Sequence, residues 1–123
     1  MMDVLIVEDD ELQREALTAE LEEAGLEVES VEAAEPALRL LEFRGAPPVV
    51  LTDLALGPGI CGLELGEVVL RGWPDVAVIY LTGHPQALCG RAIGVRECVL
   101  PKPVGPELVA GLVRRLIGVA PLG

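Results

Sequence analysis

Apolar residues in this chain fall into short unbroken runs, separated by amphipathic stretches and turn-forming residues. Val4-Leu5-Ile6-Val7 is the first run, and it opens directly into Glu8, Asp9 and Asp10. A run without alternation predicts a strand covered on both faces, as in a parallel sheet. Glu11 to Glu23 is rich in helix formers, with Leu17, Leu21 and Ala24 on one narrow arc that can cover a sheet. Leu12 falls off that arc and is expected to be an exposed apolar residue or a contact residue. Gly25 stops the helix. Leu26 to Val31 alternates apolar and acidic residues, which predicts a strand at an edge or with one wet side.

The same grammar continues. Glu35 to Phe43 predicts a second helix, with Pro36 tolerated in its first turn. Val49 to Leu51 predicts a buried strand ending at Asp53. Leu54 to Cys61, with Gly57, Pro58 and Gly59, predicts a loop. Gly62 to Leu70 predicts a short helix, broken by Gly72 and Pro74. Val76 to Leu81 is the most apolar run and predicts a central strand. His84 to Arg96 is weakly helical, with two internal glycines. Cys98 to Leu100 predicts a last short strand before Pro101-Lys102-Pro103. From Pro106 a final helix is expected, with Val109, Leu112 and Leu116 on one face.

Five β-α units in succession require helices on both faces of a mostly parallel sheet. The expected fold is therefore α/β: a five-stranded parallel sheet, doubly wound as (βα)5, in a three-layer sandwich. Such sheets bind ligands outside the carboxyl ends of their strands. The polar residues collect there: Glu8 and Asp9 after strand one, Asp53 after strand three, Thr82 after strand four, and Lys102 after strand five.

Composition narrows the class. The 123 residues suit one domain, and 51% of them are hydrophobic, enough for a sizeable core. Aromatics are only 2%, so the core must be built from Leu, Val, Ile and Ala. Acids outnumber bases 20 to 9, for a formal charge of -11, which disfavours generic binding to nucleic acid or to an anionic membrane. No apolar stretch is long enough to span a membrane, and no signal peptide is visible. Cys61, Cys89 and Cys98 lack metal-ligand spacing and fit a reduced, cytoplasmic setting.

Clustered carboxylates repel one another unless a cation joins them. An oxygen-only set suits Mg²⁺ or Mn²⁺ rather than Zn²⁺. Asp9 and Asp53 are the expected ligands, with the Ala55 backbone carbonyl as the natural further oxygen. A hard divalent ion beside a carboxylate and a lysine is an arrangement for phosphoryl transfer. In that reading Asp53 is the nucleophile, Lys102 neutralises charge on the phosphoryl oxygens, and the Thr82 hydroxyl donates to one of them. Taken singly, each residue has a plainer reading: solvated loop acids, a turn-forming Asp, a capping Thr, a surface Lys. Their joint arrival at the ends of four strands favours the chemical one. His84 reads as a surface loop residue and the cysteines as packing residues.

With those residues in place, the chain resembles a response-regulator receiver domain of bacterial two-component signalling, the CheY-like, flavodoxin-like group. Val4-Leu5-Ile6-Val7-Glu8-Asp9-Asp10 resembles its first strand and acid cluster. Val50-Leu51-Thr52-Asp53-Leu54 resembles its phosphoacceptor strand, Thr82-Gly83 its switch threonine, and Lys102-Pro103 its lysine-proline pair, whose peptide bond is often cis. The resemblance covers about residues 3 to 119, leaving 120–123 as a short tail. It implies that Asp53 accepts a phosphoryl group from a sensor histidine kinase or a histidine phosphotransfer protein and loses it slowly. It also implies that Asp9 ligates Mg²⁺, with Glu8 acting partly through water and the Ala55 carbonyl completing the set. Output is expected through a downstream protein target, from a monomer or weak homodimer.

Some positions depart from that pattern. Val99 stands where the family usually has a switch aromatic on strand five, and the loop after Asp53 looks one residue longer than the common form. Ile79-Tyr80-Leu81-Thr82-Gly83-His84 resembles a subgroup with an aromatic two before the threonine and no aromatic on strand five; here Tyr80 is expected to pack in the core. The alternatives are a small-molecule phosphatase or hydrolase, a flavin or dinucleotide binder, and a pseudo-receiver scaffold. The first lacks an acid at Leu54, Ala55 or Leu56 to serve as acid/base. The second lacks a glycine-rich turn after strand one, where the acids repel a pyrophosphate. The retained Asp9, Asp53, Thr82 and Lys102 argue against the third. The chain is expected to be either a complete single-domain regulator or part of a larger protein.

Overall fold

The structure, a computed structural model, describes residues 1–56, 59–83 and 94–118. In chain order the described elements are β1 (Val4–Val7), α1 (Glu11–Glu23), β2 (Val28–Val31), α2 (Ala34–Arg44), β3 (Val49–Asp53), α3 (Gly62–Gly72), β4 (Ala77–Thr82), β5 (Glu97–Pro101) and α4 (Pro106–Leu116). The strands form one parallel sheet in the order β2-β1-β3-β4-β5. The chain thus steps outward from β1 to β2, returns across β1 to β3, and runs on to the far edge. The helices consequently cover both faces, and the fold is the doubly wound α/β sandwich that the element order requires. The weak helical segment expected over 84–96 lies, for residues 84–93, outside the described residues.

Burial follows the strand order. Every residue of β1, β3 and β4 is buried, because each has a strand on either side and a helix layer above and below. The edge strands β2 and β5 are only half-buried for most of their length, which accounts for the acidic alternation before Val31. Leu5, Val7, Val50, Val78 and Tyr80 face α2 and α3, through Ala37, Leu41, Leu65 and Val69. Val4, Ile6, Leu51, Ile79 and Leu81 face α1 and α4, through Leu17, Leu21, Val109 and Val113. Leu12 is 78% exposed, as its position off the α1 arc predicts.

Two sequence expectations need correction. Helix α3 runs through Gly72 instead of stopping at Leu70. The break comes at Trp73, because a residue before proline is driven out of the helical region; Trp73 sits at φ -137, ψ 78 ahead of Pro74. In α4 the buried face is Val109, Ala110 and Val113, while Leu112 is half-buried and Leu116 is 42% exposed. The expected stripe is rotated by about one residue. Val109 and Val113 close against β1, β3 and β4, Leu112 packs half-buried on the same core, and Leu116 is not part of it.

One glycine fits the helices to the sheet. Tyr80, fully buried on β4, sends its hydroxyl to Glu97 Oε2 on β5 at 2.6 Å. A Cβ at Gly66 of α3 would lie 1.9 Å from that hydroxyl oxygen and 2.6 Å from the ring carbon bearing it. Gly66→Ala should therefore destabilise the fold by about 1–3 kcal/mol through overpacking, although alanine favours a helix by about 1 kcal/mol. Urea unfolding measures this, and in a Tyr80→Leu background the same change should cost much less.

Candidate functional site

The carboxyl ends of β1 and β3 lie side by side where the strand order reverses, the position at which a doubly wound sheet opens a crevice. Beyond β1, the Glu8 N–H still donates to Val31 O at 3.1 Å, so Glu8 is held as an extension of the sheet and is only 1% exposed. Asp9 turns outward and is exposed. Asp10 caps α1, accepting the Gln13 N–H at 3.0 Å, and that hydrogen bond holds its carboxyl below the usual aspartate range. The Arg14 guanidinium donates to the Glu8 carbonyl at 2.8 Å and pins the turn from α1.

Asp53 ends β3 and is 8% exposed. Its Oδ1 accepts the Ala55 N–H at 3.1 Å, and the Leu54 N–H donates to Leu81 O on β4 at 2.9 Å. The first residue of α3 comes down on this turn. A Cβ at Gly62 would lie 2.0 Å from Asp53 O, so only glycine permits the approach. Thr82 ends β4, 4% exposed. Its carbonyl accepts the Lys102 N–H at 2.7 Å, which fixes the residue after β5 against it. Lys102 is flanked by Pro101 and Pro103, with a cis bond to Pro103.

The Lys102 ammonium lies 3.1 Å from Asp53 Oδ2 and 3.3 Å from Glu8 Oε1. Burial alone would lower its pKa. The hydrogen bond and charge of Asp53, and then those of Glu8, outweigh that and hold it above the ordinary lysine value. Glu8 moves the other way from an ordinary carboxylate. Burial, chiefly, with the nearby Asp53 charge, pushes its pKa up to about 7, against the pull of the Asp10 N–H and Lys102. One ammonium does not balance this rim.

Glu8, Asp9 and Asp53 each offer a carboxylate oxygen, all within 4.8 Å of one another. An oxygen-only donor set of this charge fits a hard divalent cation and gives no soft ligand for zinc or copper. The structure thus gathers Glu8, Asp9, Asp53 and Lys102, and joins Thr82 to Lys102 through the backbone. Ala55 enters through its N–H bond to Asp53.

Gln13 was not foreseen as part of this group. Its side-chain oxygen accepts from Lys102 Nζ at 2.9 Å, the shortest of the contacts made by that ammonium. The available signal was its spacing, third after the capping Asp10, which ordinarily marks a capping box. Val99 is half-buried and packs on the same side of the sheet as Tyr80.

The sequence profile of the family described as response regulator receiver domain matches residues 4–114. The chain is 34% identical over 119 residues to the C4-dicarboxylate transport transcriptional regulatory protein DctD of Pseudomonas aeruginosa, covering 94% of this chain and 25% of that protein. It is 32% identical over 121 residues to the transcriptional regulatory protein FixJ of Azorhizobium caulinodans, covering 94% of this chain and 54% of that one. Among solved structures, the response regulator protein TrrA of Thermotoga maritima in complex with Mg²⁺-BeF superposes with a TM-score of 0.80 at 28% identity, covering 94% of this chain and 99% of that one. A response regulator receiver protein from Sinorhizobium medicae gives 0.84 at 19% identity, covering 94% of each chain, a likeness of fold alone. The chain spans about a quarter of the length of DctD and about half that of FixJ.

A cation shared by the three acids should stabilise the folded chain, since it binds the assembled cluster and not the unfolded one. Adding Mg²⁺ should raise the melting temperature, by an amount that Asp9→Asn abolishes. Differential scanning fluorimetry against a chelator-treated control checks this, and an equal rise in the variant removes Asp9 from the ligand set.

Proposed function

Since the chain belongs to the response regulator receiver domain family, we propose that it is a phosphoacceptor switch with Asp53 as the acceptor. The observation that carries this reading is the placement of Asp53: a near-buried carboxylate 3.1 Å from the Lys102 ammonium, with two further acids close enough to share a cation. A histidine kinase or histidine phosphotransfer protein is the proposed donor, and output runs through a protein target.

One carboxylate oxygen of Asp53 attacks the phosphorus of the donor. A P–O bond to Asp53 forms as the donor's bond to phosphorus breaks, and the leaving imidazole takes that electron pair and then a proton from solvent. Asp53 is pre-aimed for this, because the Ala55 N–H fixes Oδ1 and the Gly62 contact fixes the backbone. Lys102, already paired with Oδ2, stays beside the oxygens on which charge accumulates. Thr82, held to Lys102 through the backbone, supplies a hydroxyl at the next strand end. Glu8, Asp9 and Asp53 are the residues proposed to hold Mg²⁺, with the Ala55 carbonyl as a further ligand. The chemistry such an ion supplies when bound is neutralisation of phosphoryl charge. Loss of the phosphoryl group is proposed to be slow, because Ala55 offers no side chain to orient an attacking water. The same feature weighs against a small-molecule phosphatase.

Intact mass spectrometry after exposure to acetyl phosphate and Mg²⁺ tests the assignment. The wild type should gain one phosphoryl group and Asp53→Asn none. Lys102→Ala should stay folded at saturating Mg²⁺, where the cation replaces the lost ammonium beside Glu8 and Asp53. It should form or respond to the phosphorylated state poorly, read as a slowed mass gain or a lost change in partner affinity. A variant that simply unfolds makes Lys102 structural.

A further inference from the structure

We propose that Gln13 is a positioning residue for the phosphoryl-transfer lysine, holding the Lys102 ammonium over the acid cluster from helix α1. The inference rests on Asp53 being the acceptor and extends that reading to a residue outside the acid, threonine and lysine set. Its basis is a closed circuit of hydrogen bonds. The Asp10 N–H donates to Glu8 Oε2 at 3.2 Å, and the Gln13 N–H donates to Asp10 Oδ1 at 3.0 Å. Lys102 Nζ donates to Gln13 Oε1 at 2.9 Å and to Glu8 Oε1 at 3.3 Å, which returns the circuit to its start. The third ammonium proton goes to Asp53 Oδ2. An ammonium has three donors and no acceptor, so all three are assigned.

The local sequence explains why Gln13 is free to do this. At the third helical position after a cap, a glutamine ordinarily reaches back to the N–H of the capping residue. Here that N–H is already taken by Glu8, so the Gln13 oxygen turns to Lys102 instead. A glutamate at this position would suit the positive end of the helix better. It would also add a further negative charge beside an incoming phosphoryl group and compete with it for the ammonium. An amide oxygen occupies one N–H without contributing charge. Gln13 and Lys102 both border a cavity of about 430 Å³ that is walled by Leu17, Leu81, Pro103 and Val104 and by none of the acids. Without the Gln13 oxygen, the ammonium has an open direction in which to swing.

A double-mutant cycle tests this, with the rate of phosphoryl gain from acetyl phosphate at saturating Mg²⁺ followed by intact mass. Gln13→Met keeps length and helix propensity but removes the acceptor. It should slow the reaction about ten- to a hundredfold, up to the cost of a catalytic group misplaced by about 1 Å, while the Mg²⁺-dependent melting shift stays at the wild-type value. In a Lys102→Met background, or Lys102→Gln should that variant not fold, Gln13→Met should have no further effect, because its role passes through the ammonium. Equal slowing in both backgrounds, or none in either, overturns the proposal while leaving Asp53 as acceptor. A wild type that gains no phosphoryl group overturns the acceptor reading and this inference with it.

Discussion

Burying two carboxylates beside one ammonium at the reversal point of a parallel sheet is the constraint on which the rest of this molecule turns. Glu8 and Asp53 are drawn out of water by the same sheet that makes β1 and β3 central, and Lys102 is the cation that partners both. Leaving either acid unpaired at that depth would be costly, which is why the elements around them are so closely tied. The β5 turn is bonded to Thr82, the β3 turn is pressed by Gly62, and α1 begins on a cap that also organises the β1 turn. Burial, chiefly, keeps the Glu8 pKa up at about 7, and the excess of three clustered carboxylates over one ammonium makes the site receptive to a divalent cation. Stability and reactivity therefore draw on one electrostatic imbalance.

Most of this was legible in the sequence because it depends on the polarity of short segments. Val4 to Val7 and Val76 to Leu81 could only be strands buried on both faces, and the acids of Leu26 to Val31 placed that strand at an edge. A parallel sheet then brings its strand ends to one rim without any knowledge of side-chain geometry, so Glu8, Asp9, Asp53, Thr82 and Lys102 followed from order alone. What escaped depends on angles and on neighbours distant in sequence. The face of α4 is decided by how the helix rolls against β1, β3 and β4, and several faces of a leucine-rich helix look equally apolar. The fit of Gly66 to Tyr80 requires knowing that α3 crosses β4 at that point. Gln13 bonds a residue 89 positions away, and its spacing from Asp10 suggests a purely local role.

The polarity of β4 also determines what an optical experiment can see. Trp73 is the chain's single tryptophan, and it sits ahead of β4 where α3 ends. Thr82 and the acid cluster lie at the other end of that strand. Six residues of extended chain separate the two ends by about 20 Å, with the fully buried interior of the sheet between them. The indole is thus too remote to be quenched by direct contact with a metal or phosphoryl group at the rim. Its emission instead samples the opposite pole of the domain, where Pro47, Pro48 and Pro74 gather. A change in tryptophan fluorescence on loading the acid cluster would therefore report a rearrangement carried along the strand, and a silent signal is what a rigid central sheet delivers.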